Sequence, residues 1–112
     1  MDRLAAAVGD KGMTVFARID HAAGAAEAGL ALPPTELLIF GNAKGGTPLM
    51  QSAQTIGIDL PLKALVWRDS AGQTWLSYND PLWLAQRHGL GAAPAAETMA
   101  AALKDLATKA TV

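Results

Sequence analysis

Two runs of alternating residues on either side of a short turn commit this chain to antiparallel pairing. From Ile58 to Trp67, Leu60, Leu62, Ala64 and Val66 share one face, while Lys63, Leu65 and Trp67 share the other. Thr74 to Asn79 returns after the turn Asp69-Ser70-Ala71-Gly72. Period-two runs joined by Asp, Ser and Gly predict a β-hairpin. Two more strands are expected. In Thr14 to Asp20, Val15, Ala17 and Ile19 alternate with Thr14, Phe16, Arg18 and Asp20, and Thr35 to Phe40 follows the extended connection that Pro33-Pro34 imposes.

Helical patterns fill the intervals. Met1, Leu4, Ala5 and Val8 predict a helix over residues 2–10, stopped by the glycines at 9 and 12. His21 to Ala28 reads as a small helical turn capped by Asp20. Thr47 before Pro48 is a natural cap and first-turn pair, so a short helix is expected from Pro48 to about Gln54. Asn79-Asp80-Pro81 starts another that runs through His88, broken by Gly89 and Gly91. Across an Ala/Gly connector at 91–96, Met99, Ala102, Leu103, Leu106 and Ala110 form one face of a final helix from about Pro94 to Lys109. Short strands covered by helices on one face predict an α+β fold with a mostly antiparallel sheet, built as a single domain over residues 1–112.

Composition removes several classes of function. With 51% apolar and 17% charged residues the chain has a globular balance. A formal net charge of -1 supplies no basic field for a polyanion, so no nucleic-acid partner is expected. The absence of cysteine excludes disulfides, thiolate catalysis and cysteine-ligated metals. No apolar run is long enough to span a bilayer, and the expected setting is cytoplasmic, with no membrane partner.

The stretch IFGNAKGGTPLM, residues 39–50, holds the first candidate site. A phosphate loop of the Walker kind needs glycine, then lysine, then serine or threonine at the helix start. Here Lys44 precedes the glycine pair and Pro48 follows Thr47, so that motif fails. A glycine-flanked turn opening a helix still favours a small anion, with Asn42, Lys44 and Thr47 as ligands. The alternative is a capped turn whose glycines take positive φ. Asp20 and His21 invite an acid–base pairing, against which stands a capping aspartate beside a surface histidine. His88 falls in a last helical turn, where it meets exposed carbonyls. Asp59 and Lys63 open a strand, as ligand groups or as solvated or paired charges. Neither histidine lies in an H-x-x-x-H pattern, and no cofactor or metal is expected. Trp67, Trp75, Tyr78 and Trp83 concentrate aromatic surface for a core or a dimer contact, ahead of a ligand groove.

The segments KGMTVFARIDHAAGAAEAGLALPPTELLIFGNAKGGTPLMQS, IDLPLKALVW and WLSYNDPLWLAQRHGL together resemble the bacterial and archaeal domain of unknown function numbered 302, over roughly residues 1–90. The resemblance implies a fold like that of the TATA-box-binding protein, a curved antiparallel sheet with helices on one side in β-α-β(4)-α order. It also implies homodimers, and it implies no established reaction. Family members usually carry a strand ahead of the first helix, whereas this chain starts inside that helix, so the expectation is either a trimmed start or a sheet one strand shorter. The resulting expectation is a non-catalytic homodimeric domain with a small-ligand or anion site at residues 41–47. Its alternatives are a small-metabolite enzyme using Asp20 and His21, with His88 or Asp59, and a metal- or haem-binding protein.

Overall fold

In a computed structural model of the chain, which describes residues 1–91 and 93–111, these patterns become a helix α1 (Asp2–Asp10), strand β1 (Thr14–Asp20), helix α2 (His21–Glu27) and strand β2 (Thr35–Gly41). Helix α3 (Ala43–Ser52), a 3-10 turn (Gln54–Ile58), strands β3 (Leu62–Arg68) and β4 (Thr74–Tyr78), and helices α4 (Pro81–Arg87) and α5 (Pro94–Ala110) follow. Ala92, inside the expected Ala/Gly connector, lies outside the described residues. No described helix is long and apolar enough to cross a membrane.

The sheet has four strands in the order β1-β2-β3-β4, with every neighbouring pair antiparallel. Register assigns its two faces, because side chains opposite one another across a ladder share a side. Leu38, Phe40, Leu62 and Ala64 point inward and are buried, with Val66 and Leu76 partly buried beside them. The helices close over them with Leu4 and Val8 from α1, Leu49 from α3, and Met99, Leu103 and Leu106 from α5. Helix α5 is the centre of this layer, packing against α1, α3 and α4.

Three details depart from the sequence pattern. First, β1 carries a register shift between Val15 and Ala17, so its alternation does not persist. Val15 lies opposite inward-facing Phe40, while Ala17 and Ile19 lie opposite Ile39 and Leu37 of the outer face. A bulge puts one extra residue into the strand and re-aims the side chain at that point, here Phe16. Second, the strand expected from Ile58 begins only at Leu62, because residues 54–58 wind into the 3-10 turn.

Third, α3 begins five residues before the expected Pro48, and its cap is Asn42, not Thr47. The Asn42 side-chain oxygen accepts from the Gly45 N–H at 2.6 Å. Of the glycines in this stretch only Gly41 has positive φ, at 155°; Gly45 and Gly46 are helical. Only Gly45 provides clearance. A Cβ on Gly45 would lie 3.1 Å from the Asn42 Oδ1 that caps the helix, and one on Gly46 would meet Leu60 and Met50 at 3.7 and 3.8 Å.

None of the four aromatic side chains expected in a core or a contact enters the core. Trp67 and Trp75 stack on the outer face with ring centroids 6.3 Å apart, Tyr78 and Trp83 are exposed, and Arg87 lies over the Trp83 ring at 5.9 Å.

Candidate functional site

Helix α3 leaves β2 at Gly41 and runs beside α5, and between them opens a cavity of about 570 Å³. Four separate parts of the chain build it. Met13 comes from just before β1, and Phe16 from the bulge that re-aims it within β1. Asn42, Lys44, Thr47 and Met50 come from the cap and first turns of α3. Leu60, Pro61 and Leu62 close one wall, and Ala95, Thr98, Met99 and Ala102 form a stripe of α5 with the spacing of a single helical face. The volume falls within the range typical of small-molecule pockets, roughly 300–1,000 Å³.

The lining is mostly carbon and sulfur, and its polar side chains are Asn42, Lys44 and Thr47 of α3 and Thr98 of α5. Lys44 is its one charged residue, exposed at the rim, and makes no ion pair among the described residues. No aspartate or glutamate lines the cavity. Two of the first amides of α3 are already engaged: Gly45 N–H by the Asn42 side chain, and Gly46 N–H by the Asn42 carbonyl at 3.1 Å. The Thr98 hydroxyl donates to the Pro94 carbonyl at 3.1 Å.

Of the sequence candidates, the cavity brings together Asn42, Lys44 and Thr47 and leaves out Asp20, His21, Asp59 and Lys63. Asp20 caps α2, accepting from the Ala23 N–H at 2.9 Å, and His21 is exposed. Lys63 lies opposite Ile39 on the outer face of the sheet. Asp59 meets His88 at the C-terminal end of α4. The His88 Nε2 lies 2.5 Å from one Asp59 oxygen, and the Arg87 guanidinium donates to the other at 3.2 Å. The His88 Nδ1 faces the Thr55 hydroxyl at 3.0 Å. A carboxylate only accepts, so Nε2 donates to Asp59, and in the neutral ring Nδ1 accepts from Thr55.

This cluster resembles a relay of hydroxyl, imidazole and carboxylate, but none of its members lines the cavity. It does not include Asp20 or His21 either. Asp20 pairs with Glu36, which faces Val66, whereas Asp59 lies just before Leu62 at the other end of β3. Four residues of strand at about 3.3 Å each put roughly 13 Å between those two ends. An enzyme built on Asp20, His21, His88 and Asp59 would need these groups in one cleft. Among the described residues no three His, Asp or Glu side chains gather as a metal site.

Charge elsewhere serves the frame. Arg18 bridges Asp2 of α1 and Glu36 of β2, each at 2.7 Å, tying the first helix to the sheet. Asp69 organises the β3–β4 turn by accepting from the Trp75 indole at 2.8 Å and from the Gln73 and Ala71 amides at 2.9 Å. The Trp75 bond first, then that of Gln73, holds its carboxyl below the usual carboxylate range.

What sequence reasoning missed at the site is its apolar majority. Met13, Phe16, Met50, Met99 and Ala102 carry no chemical motif, and only the end of α3 bore a readable signal.

Comparison with known proteins agrees with this geometry at the level of family and fold. The family described as "Domain of unknown function DUF302" matches residues 1–106. A crystal structure of an uncharacterized conserved DUF302 protein from Bacillus stearothermophilus superposes with a TM-score of 0.84, covering 97% of this chain and 86% of that one. At 19% identity this likeness concerns the fold alone. Two curated relatives are named fluoride-specific ion channel FluC 1, from Brucella suis and Brucella abortus, each 62% identical over 91 residues. Those matches cover 81% of this chain but 36% and 34% of the relatives, so the chain spans about a third of their length.

Proposed function

Because this chain belongs to the DUF302 family, defined by a domain of unknown function, we propose a role read from the site itself: a non-catalytic binding domain that holds a small ligand with an anionic group at residues 41–47 and pairs with a second copy of itself. The observation that carries the reading is the cavity between α3 and α5, where Asn42, Lys44 and Thr47 meet an apolar wall. Lys44 supplies the attraction and Asn42 a free amide donor. Binding stabilises the folded state alone, so acetate should raise the melting temperature in a concentration-dependent way in wild type and not in Lys44→Gln. A shift of equal size in both proteins would remove residues 41–47 as the site.

The second copy is assigned to the outer face of the sheet. Ile39 and Leu37 of β2, Leu65 and Trp67 of β3, Trp75 of β4 and Ile19 of β1 share that face, with Ile19 and Trp75 exposed and the others half-buried. Such a face is self-complementary under a two-fold axis, and stacked tryptophans are typical anchors of interfaces. The expected species in solution is a dimer, and Trp75→Ala should weaken it tenfold or more while remaining folded. Light scattering across a dilution series reads this, and an unchanged dimer in the variant would exclude the face.

The 62% identity to chains named as fluoride channels favours a second reading, in which the domain serves as a non-conducting accessory to an ion channel. A channel must cross the bilayer, and no described helix here can. Deleting the matched segment from the Brucella suis relative should leave fluoride flux in vesicles intact in magnitude. Loss of flux in a correctly inserted deletion protein would overturn the accessory role.

A further inference from the structure

Resting on the cavity reading above, we infer that the ligand is an amphiphile of the class of a medium-chain carboxylate, its head at Lys44 and its tail among Met13, Met50 and Met99. Three observations converge on this class.

The first is the segregation of polarity. Asn42, Lys44 and Thr47 lie within two turns of α3, and apart from Thr98, whose hydroxyl is spent on the Pro94 carbonyl, the remaining side chains of the wall are hydrocarbon and thioether. A ligand that is polar all round would lose hydration against that wall without hydrogen bonds to replace it. An apolar body with one polar end matches both parts.

The second is the sign and number of the polar groups. With one lysine and no carboxylate in the lining, the site favours a single negative charge and repels a cation. Phosphate asks for more donors than are free, because the Gly45 and Gly46 amides are already bonded to Asn42. One ammonium and the Asn42 side-chain amide suffice for the two oxygens of a carboxylate.

The third is the use of methionine. Met13, Met50 and Met99 come from three distant parts of the chain and converge on one cavity. The Met99 and Met50 methyl groups lie 3.6 and 3.8 Å from where Cβ atoms on Gly45 and Gly46 would stand, so both pack against the first turn of α3. Unbranched, polarisable thioethers repack around a flexible tail more readily than branched side chains do.

The test is calorimetric titration of the purified protein with decanoate below its micelle-forming concentration, with decanol, and with inorganic phosphate. Wild type is compared with Lys44→Gln and with the cavity-filling variant Ala102→Leu, and circular dichroism melts verify that each is folded. Decanoate should bind wild type, and Lys44→Gln should weaken it about tenfold or more, since a charge-assisted bond is lost. Decanol binding should change less than twofold in Lys44→Gln, and Ala102→Leu should weaken both chain ligands. Phosphate binding that depends on Lys44, without decanoate binding, would overturn the amphiphile while leaving the anion site standing. Decanoate and decanol binding equally, with no effect of Lys44→Gln, would overturn the carboxylate head. A folded wild type that binds none of the probes would overturn both readings.

Discussion

Replacing Phe40 by alanine is expected to cost about 3–5 kcal/mol of folding stability, the largest loss for any single side chain in this protein. Phe40 is fully buried on the inner face of β2, between strands β1 and β3 and beneath the helices. Truncation removes its transfer free energy and leaves a void that a close-packed layer only partly collapses into. Domains of this size are stable by only about 5–15 kcal/mol, so the variant should unfold at much lower urea. Phe16→Ala is the control. Phe16 is 56% exposed and lines the ligand cavity, so its loss should affect binding more than folding. A Phe40→Ala cost under about 2 kcal/mol would mean that the layer is not centred on this ring.

The second large effect is expected at Asp59. Its carboxylate receives both His88 and Arg87, and the side chains of Asp59 and His88 are only 16% and 10% exposed. Asp59→Ala leaves the His88 Nε2 part-buried with no acceptor, and such an orphaned donor costs about 1–3 kcal/mol. At about 4–8 °C per kcal/mol for a domain near this size, the fall in Tm should be plain in a thermal melt. Asp59→Asn retains an oxygen acceptor and should lose less than half as much. An alanine variant melting within about a degree of wild type would show that the 3-10 turn and α4 hold together without this bond.

The elements that the sequence made legible are those whose information is local. The β3–β4 hairpin was readable from alternation and from Asp69 and Gly72, and α5 from apolar residues at helical spacing. The family and its α+β sheet with helices on one face were readable from the segments that carry the resemblance. The start of α3 was not. Two glycines cost a helix about 1 kcal/mol each relative to alanine, and Thr47-Pro48 offers a better local cap. At the observed start Gly45 sits beneath the Asn42 side chain that caps the helix, where a Cβ would lie 3.1 Å from its Oδ1. The bulge at Phe16 was equally hidden, because a register shift belongs to a pair of strands and one strand does not announce it.

The candidate site was half legible for a related reason. Asn42, Lys44 and Thr47 stood out because they sit together near a helix start. The pairing of Asp59 with His88 spans 29 residues, and the apolar wall joins parts of the chain from Met13 to Ala102. Such contacts exist only once the sheet and helices are assembled.

The position of α5 at the centre of the helical layer bears on how the chain is made. It packs against α1, α3 and α4, and supplies Met99, Leu103 and Leu106 to the core. While the chain grows from the ribosome, all four strands emerge before those residues do, and the inner face of the sheet has only part of its cover. The newborn sheet therefore passes through a sticky interval in which Leu38, Phe40 and Leu62 await their last partners. That interval closes when Leu106 leaves the exit tunnel, so chaperone demand should track translation of the last helix and not of the strands.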